Sequence, residues 1–490
     1  MKSDDFKAQQ HCMVSRSGRA IVVVLVLVLL SAIGIGIAFH SARYKGPVVP
    51  RINGDAEIRN LIEDRVRVLN QSGRSISLDL PDDSIFAEIW SIYVEIREKH
   101  VANIEPYDAN QEWQLDDFPR AADWIRQSKP VRSFDRDMSD DLVSAGYLDL
   151  IDDVVKQPAR MRSPDPDLGV AGWINTLTPI GDATRWTYMY LTYRLAVAWV
   201  AASKDVSDYH LQTLYTEVDR MLALAEAHTL EPDSTDFMLG VIIESDVNKR
   251  IREWVIARPL GRDVHRQIAA KLQSYAVLDV GFAFEGNSVI AAALIDSRMN
   301  DGWRERYSRS SARTRVADVY SRAQQAIMLD PINASDELIQ LDAEMIQIVD
   351  SYAAELDDLV SVFEGMWASN LLACARRAGT LTVLGIEAYR NDTGRLPSTL
   401  AELVPEYLDA IPTTPTDPDG LIYRIATAED VAEDNQRPTD GVALSDTGYV
   451  LYSRGIDSED NGGKFNPTHY MSMYRRGIGL DYIIVPIVDP

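Results

Sequence analysis

Apolar residues follow two different spacings along the chain. Between about residues 56 and 379 they recur three and four positions apart, which predicts amphipathic helices that pack on a shared core. After Thr393, short apolar runs separated by prolines predict strands at 421–426, 449–453 and 482–488. The pattern predicts a mainly α protein, an irregular bundle of antiparallel helices, that ends in an α+β unit with a small antiparallel sheet on a long helix.

Two predicted helices have the clearest apolar faces. The first face contains Leu211, Leu214, Tyr215, Val218, Met221 and Leu222. The second contains Leu338, Leu341, Met345, Ile348, Tyr352, Leu356, Leu359 and Phe363. We expect Ser335 to be the N-cap of this second helix, with Asp336 and Glu337 in its first turn.

Further helices and breaks follow from the same spacing and from proline and glycine. Helices are predicted at 56–70, 83–103, 184–204, 235–257 and 263–277. Breaks are predicted at 129–140, 157–183, 258–263 and 298–304. The segment Gly394 to Pro397 is expected to end a long helix, and Ser398 to cap a short one over 398–408 with Glu402 near its first turn.

The segment from Ala20 to Phe39 contains twenty residues and no charge. As a helix it is about 30 Å long, enough to cross the hydrocarbon core of a bilayer. The run is longer than the apolar region of a signal peptide and no clean A-x-A site follows it, so we expect an uncleaved signal anchor. The flanking charges give a weak positive-inside bias. We expect a cytoplasmic tail and an extracytoplasmic, periplasmic body.

Composition and the absence of known motifs argue against several classes of binding partner and of active site. A net charge of −25 opposes binding to nucleic acid and to anionic lipid. The two cysteines, Cys12 and Cys374, lie on opposite sides of the predicted span and cannot pair within one molecule. The sequence contains no HExxH, G-x-S-x-G, Walker A or Rossmann glycine pattern. We therefore expect no enzyme and assign no catalytic residue.

Four carboxylates in largely apolar helices need separate attention. They are Glu244, Asp246, Glu285 and Asp296. A buried carboxylate with a shifted pKa is a candidate for function. The alternative is that these side chains face solvent or pair with arginines such as Arg250 or Arg252.

An acidic, glycine-rich loop follows the second predicted strand. Asp457, Glu459 and Asn461 alternate before two glycines, as in the first half of an EF-hand, but position twelve of that frame is Thr468 rather than glutamate. Calcium binds about six to eight oxygen atoms on such flexible turns. The loop therefore predicts a calcium site with Asp457 and Asp460 as ligands. The alternative is a hairpin turn whose charges are solvated.

Further motifs surround this loop. Tyr389-Arg-Asn-Asp-Thr-Gly394-Arg-Leu-Pro397 is followed by Asp417-Pro418 and Tyr423, and Leu451 to Gly463 is followed by Asp481-Tyr-Ile-Ile. Over about residues 365–490 these motifs resemble the type II secretion major pseudopilin, in which a long helix ends in a Y…G-x-x-P turn and a D-P-x-G…Y element follows. The resemblance implies that the acidic loop is that family's calcium loop and that Asp481 closes the site.

The start of the chain departs from that family. A pseudopilin begins its span at a processed Gly–Phe junction with a glutamate five residues into the mature chain. Here Gly18-Arg-Ala-Ile-Val has no such glutamate, and about 320 residues separate the span from the pseudopilin-like tail. We therefore expect neither prepilin-peptidase processing nor assembly into a pseudopilus.

The helical middle contains two further stretches, PDSTDFMLGVIIES at 232–245 and FAFEGNSV at 282–289. Through them the whole chain resembles planctomycete-type membrane-anchored proteins of unknown function that end in such a tail. This likeness implies no activity.

The sequence predicts five segments. They are a cytoplasmic tail at 1–19, a transmembrane helix at 20–39, a linker at 40–53, an α-helical domain at 54–364 and a pseudopilin-like α+β domain at 365–490. The favoured function is a non-enzymatic scaffold or interaction component of a cell envelope, linked to secretion or surface assembly, with unidentified protein partners and an open oligomeric state. The alternatives are an extracytoplasmic hydrolase with its site among the helices, and a helical module that binds peptide or glycan.

Overall fold

A computed structural model describes residues 54–71, 85–101, 133–154, 177–231, 233–275, 278–298, 303–352, 363–434, 443–463 and 481–486. The predicted tail at 1–19, the membrane span at 20–39 and the linker at 40–53 lie outside these residues. Within the described part, no helix is both long enough and apolar enough to cross a membrane.

Helices dominate the described chain up to Thr393. Their bounds are α1 Gly54–Gln71, α2 Ile85–Val101, α3 Ser133–Ser144, α4 Tyr147–Val154, α5 Leu177–Lys204, α6 Asp208–Thr229, α7 Ser234–Ala257, α8 Arg262–Ser274, α9 Val280–Arg298, α10 Trp303–Ala326, α11 Pro331–Tyr352 and α12 Phe363–Thr393. The five helices predicted from spacing alone are confirmed as α1, α2, α5, α7 and α8.

Two of the predicted breaks contain more than one turn of a helix. α3 begins at Ser133, inside the segment 129–140, and α5 begins at Leu177, inside 157–183. Pro179 lies in the first turn of α5. A proline is tolerated there because the first N–H groups of a helix have no partner within the helix.

The predicted start of α11 is also wrong. The helix begins at Pro331, and Asp330 Oδ1 accepts the Asn333 N–H at 3.2 Å, so Asp330 performs the capping role assigned to Ser335. Ser335 lies inside the helix and is fully buried. Leu356 and Leu359 of the predicted apolar face lie outside the described residues, and Phe363 is the first residue of α12.

α7 lies at the centre of the helical part. It packs along α6 and along α12, while α6 also packs against α5, and α12 against α8 and α11. The apolar face predicted for α6 is confirmed, since Leu214, Val218 and Met221 are fully buried. One continuous apolar core extends from Ile89 to Val485, so helices α2 to α12 and the C-terminal unit share it. The buried residues of α1 form a smaller cluster with Leu230.

The C-terminal unit contains a three-stranded antiparallel sheet in the order β1-β2-β3 within the described residues. The strands are β1 Ile422–Ile425, β2 Tyr449–Ser453 and β3 Tyr482–Val485, and the short helices α13 Ala428–Asp434 and α14 Leu444–Thr447 lie between β1 and β2. Ile422 pairs with Tyr452, and Ser453 with Tyr482. β2 and β3 pack against α12, so the predicted strands and their placement on a long helix are confirmed.

The turn after α12 differs from the prediction in one detail. α12 ends before Gly394, as expected, and the short helix that follows is a 3-10 helix at Leu400–Leu403. Its N-cap is Thr399, whose side chain makes no capping hydrogen bond, so the assignment of Ser398 as cap is wrong. Instead the Glu402 carboxylate accepts the N–H of Ser398, the residue before the N-cap, at 2.7 Å.

Candidate functional site

The sheet brings the acidic loop and Asp481 to one place. The loop follows β2, and Asp481 directly precedes β3. Because β2 and β3 are antiparallel neighbours and Ser453 pairs with Tyr482, the end of one strand lies beside the start of the other. Asp481 Oδ2 accepts the Gly463 N–H at 2.7 Å. Residues separated by 18 positions in the chain therefore meet at one edge of the sheet.

The other two predicted ligands shape the loop itself. Asp460 Oδ1 accepts the Tyr452 hydroxyl at 2.9 Å and the Gly462 N–H at 2.8 Å. Asp457 Oδ1 accepts the Glu459 N–H at 3.1 Å. Gly462 and its neighbour have φ of 76° and 73°, a left-handed conformation that glycine adopts without steric cost. Each carboxylate thus uses one oxygen atom to hold the turn.

Asp481 is the most unusual of the three carboxylates. Its side chain is fully buried, and its Oδ1 has no hydrogen-bond partner among the described residues. The pKa of this carboxyl group is raised to about 6, mainly by burial. The N–H groups of Gly463 and Asn461 oppose that rise, and the charges of Asp460 and Asp457 add to it. A cation beside Oδ1 would offset both the desolvation and the repulsion between carboxylates.

The donor atoms suit a hard cation, but the site is not preassembled. In the described part of the chain, no three His, Cys, Asp or Glu side chains are grouped so that they could hold a metal ion. The atoms on offer are carboxylate and backbone carbonyl oxygens, which calcium prefers and zinc or copper does not. Residues 464–480, between the loop and Asp481, lie outside the described part.

Sequence reasoning missed a buried carboxylate that positions this edge of the sheet. Asp417 Oδ2 accepts the hydroxyls of Thr414 and Thr416, each at 3.1 Å, and the hydroxyl of Ser453. Its Oδ1 accepts the Arg454 N–H at 3.2 Å. Asp417 therefore ties the turn before β1 to the end of β2, where the acidic loop starts. The Asp-Pro pair was the available signal, but the sequence did not reveal which strand it would contact.

A second missed carboxylate lies between α12 and the sheet. Glu387 is 1% exposed, and its Oε1 accepts the Tyr449 hydroxyl at 3.2 Å. Arg390 Nε lies 3.3 Å from its Oε2. Burial raises the pKa of Glu387 to about 7, although both neighbours oppose that rise. No sequence signal distinguished this glutamate from the exposed acids of the chain.

Of the four carboxylates in the apolar helices, one faces solvent and three pair with arginines, which is the alternative expected from the sequence. Glu285 is exposed. Asp246 pairs with Arg250 at 3.3 Å and accepts the Tyr188 hydroxyl, as the arginine alternative predicts.

The two most buried of these carboxylates also pair with arginines, but not with the expected ones. Glu244 pairs with Arg377 at 2.7 Å, and burial raises its pKa. Asp296 lies 3.3 Å from Arg313 and 3.7 Å from Arg309. These pairings favour a structural role, because an arginine of another helix offsets part of the cost of burying each carboxylate.

One arrangement in the helical part has the order of a catalytic triad. Thr184 Oγ1 lies 3.0 Å from His228 Nε2, and His228 Nδ1 lies 2.8 Å from Asp236 Oδ1. All three side chains are at most 1% exposed. The described clefts are lined by other residues. A nucleophile needs access to substrate, so this buried chain is better explained as a link between α5, α6 and α7.

The tryptophans do not line a groove in the described part. Trp199 and Trp254 are buried with ring centroids 5.9 Å apart, and Trp367 is also buried. Trp186 stacks on Tyr93 with centroids 4.9 Å apart. These rings pack the helical core, so nothing here supports a glycan or peptide platform.

Comparison of the chain with protein-family models, with curated proteins and with solved structures finds no match.

Proposed function

We propose that this protein is a membrane-anchored, non-enzymatic scaffold or interaction component of a cell envelope. Its pseudopilin-like C-terminal unit would be closed by a calcium ion at Asp457, Asp460 and Asp481. A link to secretion or surface assembly follows from the likeness of this unit to the major pseudopilin.

The calcium proposal rests on the environment of the Asp481 side chain. A fully buried carboxylate oxygen without a hydrogen-bond partner costs free energy unless something compensates it. The neighbouring carboxylates Asp457 and Asp460 make the local potential negative, which attracts a cation.

Two features support a role in assembly rather than catalysis. The predicted boundary at 364/365 falls in the first turn of α12, and one apolar core joins both sides of it. The C-terminal unit thus shares its core with the helical part, as suits a scaffold. In addition, the buried carboxylates Glu244 and Asp296 are each paired with an arginine.

Calcium is tested by thermal unfolding of the full chain in detergent, in millimolar calcium and in excess chelator. Binding to the native state alone adds about 2.7 kcal/mol at a hundredfold excess over the dissociation constant. We expect a melting temperature higher by a few degrees in calcium, and no such difference in Asp481→Asn. Asp419→Asn is the matched control, because Asp419 is an exposed aspartate of the same unit. Identical melts of the native chain with and without calcium would show that backbone N–H groups hold the loop to Asp481 without a metal ion.

The anchor and its orientation are tested with the two cysteines. Burial raises the pKa of the Cys374 thiol to about 11, so little reactive thiolate forms there at neutral pH. Cys12, in the predicted cytoplasmic tail, is then the reporter. We expect a membrane-impermeant maleimide to label Cys12 only after spheroplasts are permeabilised. Labelling of intact spheroplasts that is lost in Cys12→Ser would contradict this orientation.

A further inference from the structure

His265 is buried at the point where α8 joins the rest of the molecule. Its side chain is 1% exposed. It lies in the first turn of α8, directly after the short turn that links α7 to α8. α8 packs against α12 and α6. The imidazole ring therefore lies where the α7–α8 turn, α8 and α12 meet.

Both ring nitrogens of His265 bond to backbone groups, and these bonds fix its protonation state. The Leu260 N–H donates to Nε2 at 3.1 Å, so Nε2 carries no proton. Nδ1 lies 3.3 Å from the Leu384 carbonyl oxygen of α12, which can only accept, so the ring proton is on Nδ1. His265 is thus neutral in this arrangement, and it links the turn before α8 to α12.

A second proton on the His265 ring would break this link. A proton on Nε2 would face the Leu260 N–H, and two donors would then oppose each other in a buried site. Burial accordingly lowers the pKa of the ring from 6.5 to about 4, although the bond to Leu384 and the charge of Asp392 oppose the fall. When α8 leaves α12, the ring enters water and regains its ordinary pKa. Acid therefore favours the detached state of α8.

Charged groups around α8 do not replace the lost bond. Within the described residues, the His265 ring bonds to no carboxylate. Asp392 of α12 lies 3.6 Å from Arg262, and Glu387 of α12 bonds to Tyr449 of the sheet. Other acidic groups on the neighbouring elements pair with basic residues of α8, and these pairs are Glu406 with Arg262, Asp409 with Arg266, and Asp219 of α6 with Lys271. Arg258 in the α7–α8 turn adds a positive charge, and Asp263 of α8 is exposed.

α8 is held to the rest of the molecule by few groups. Five of its thirteen residues are buried, and they are Val264, His265, Ile268, Ala269 and Leu272. The ion pairs of Arg262 and Arg266 lie at the surface, where such pairs contribute little to stability. A cleft of about 260 Å³ lies between α8 and the turn at 407–409. Opening of α8 alone therefore needs less free energy than unfolding of the whole chain.

We propose that protonation of His265 releases α8 from α12, so that α8 is an acid-sensitive link between the helical part and the C-terminal unit. Arg262 and Arg266 move with α8, so its release also frees the segment at 406–409 that they contact. This inference goes beyond the function proposed above, because it uses neither the calcium loop nor the membrane span.

The test is hydrogen exchange of the full chain in detergent, measured by mass spectrometry at pH 7.5 and pH 5 and corrected for the pH dependence of chemical exchange. With a ring pKa of about 4 in the folded state and about 6.5 in the open state, opening of α8 should be about thirtyfold more favourable at pH 5. Amides of α7 should show no such increase. Glu387 and Asp481 cannot cause it, because their raised pKa values make protonation stabilise the folded state.

Two variants separate the charge of the His265 ring from other effects of acid. His265→Gln offers an oxygen to the Leu260 N–H and an N–H to the Leu384 carbonyl, but it does not titrate. Its α8 amides should lose the difference between the two pH values. His210→Gln is the matched control and should keep it, because His210 of α6 bonds near its own turn, to the Asp205 carbonyl at 3.1 Å.

Three outcomes would overturn the proposal. The α8 amides of the native chain could exchange equally at both pH values, which needs no variant to observe. α7 could lose protection at pH 5 to the same extent as α8, which would mean that acid unfolds the helical part as a whole. Finally, His265→Gln could retain the difference, which would assign the acid response to another group.

Discussion

Gly379 of α12 lies directly against Ile484 of β3. A Cβ atom at position 379 would be 2.5 Å from Ile484 Cγ2 and 2.8 Å from its Cδ1, closer than carbon atoms pack. The absence of a side chain at this one position lets the sheet approach the helix, and it is where the C-terminal unit joins the shared core.

This contact predicts that Gly379→Ala destabilises the protein. Overpacking of a core costs about 1–3 kcal/mol, against a gain of about 1 kcal/mol from the better helix propensity of alanine. We therefore expect a lower urea midpoint. Gly365→Ala is the matched control in the same helix, because a Cβ there meets no atom within 4 Å. That variant should be slightly more stable than the native chain. A Gly379→Ala protein with the native midpoint would mean that Ile484 moves aside freely.

A second prediction concerns the start of α12. Asp342 of α11 accepts the Phe363 N–H at 2.9 Å and the Glu364 N–H at 3.2 Å, and so caps a helix that begins 21 residues later. We expect Asp342→Ala to cost about 1–2 kcal/mol of unfolding free energy, as loss of a cap does. Asp350→Ala, at an exposed aspartate of the same helix, is the control in denaturant titrations. Equal effects of the two variants would argue against the cap.

A third prediction concerns pH and Glu387. The carboxyl pKa is raised from 4.5 to about 7, so the folded state holds a proton that the unfolded state has lost. Stability therefore falls as the pH rises from 4.5 to about 7, by on the order of 2–3 kcal/mol. Glu387→Gln should remove this loss, so that the variant gains stability over the native chain at pH 8 but not at pH 4.5. Glu429→Gln, at an exposed glutamate, should keep the native profile in thermal melts.

A fourth prediction couples calcium to pH through Asp481. Its pKa is raised to about 6 in the absence of metal, and calcium binds the ionised form. Protons and calcium therefore compete, and the stabilisation by calcium should be larger at pH 7.5 than at pH 5. Melting curves at both values, with and without chelator, measure the difference. A calcium effect of the same size at both values would place the metal away from Asp481.

The sequence alone determined those helices and strands that depend on the pattern of neighbouring residues. Helical spacing located α1, α2, α5, α7 and α8, because amphipathic periodicity is a property of neighbouring residues. Short apolar runs between prolines located all three strands, and a glycine turn located the end of α12. The acidic loop was also visible, since its residues are contiguous.

Only the tertiary structure decided which distant groups meet. Glu244 pairs with Arg377, 133 positions away, rather than with an arginine of its own helix. Asp342 caps α12, and Asp417 contacts the end of β2. These partners depend on how helices and strands pack, which local periodicity does not encode.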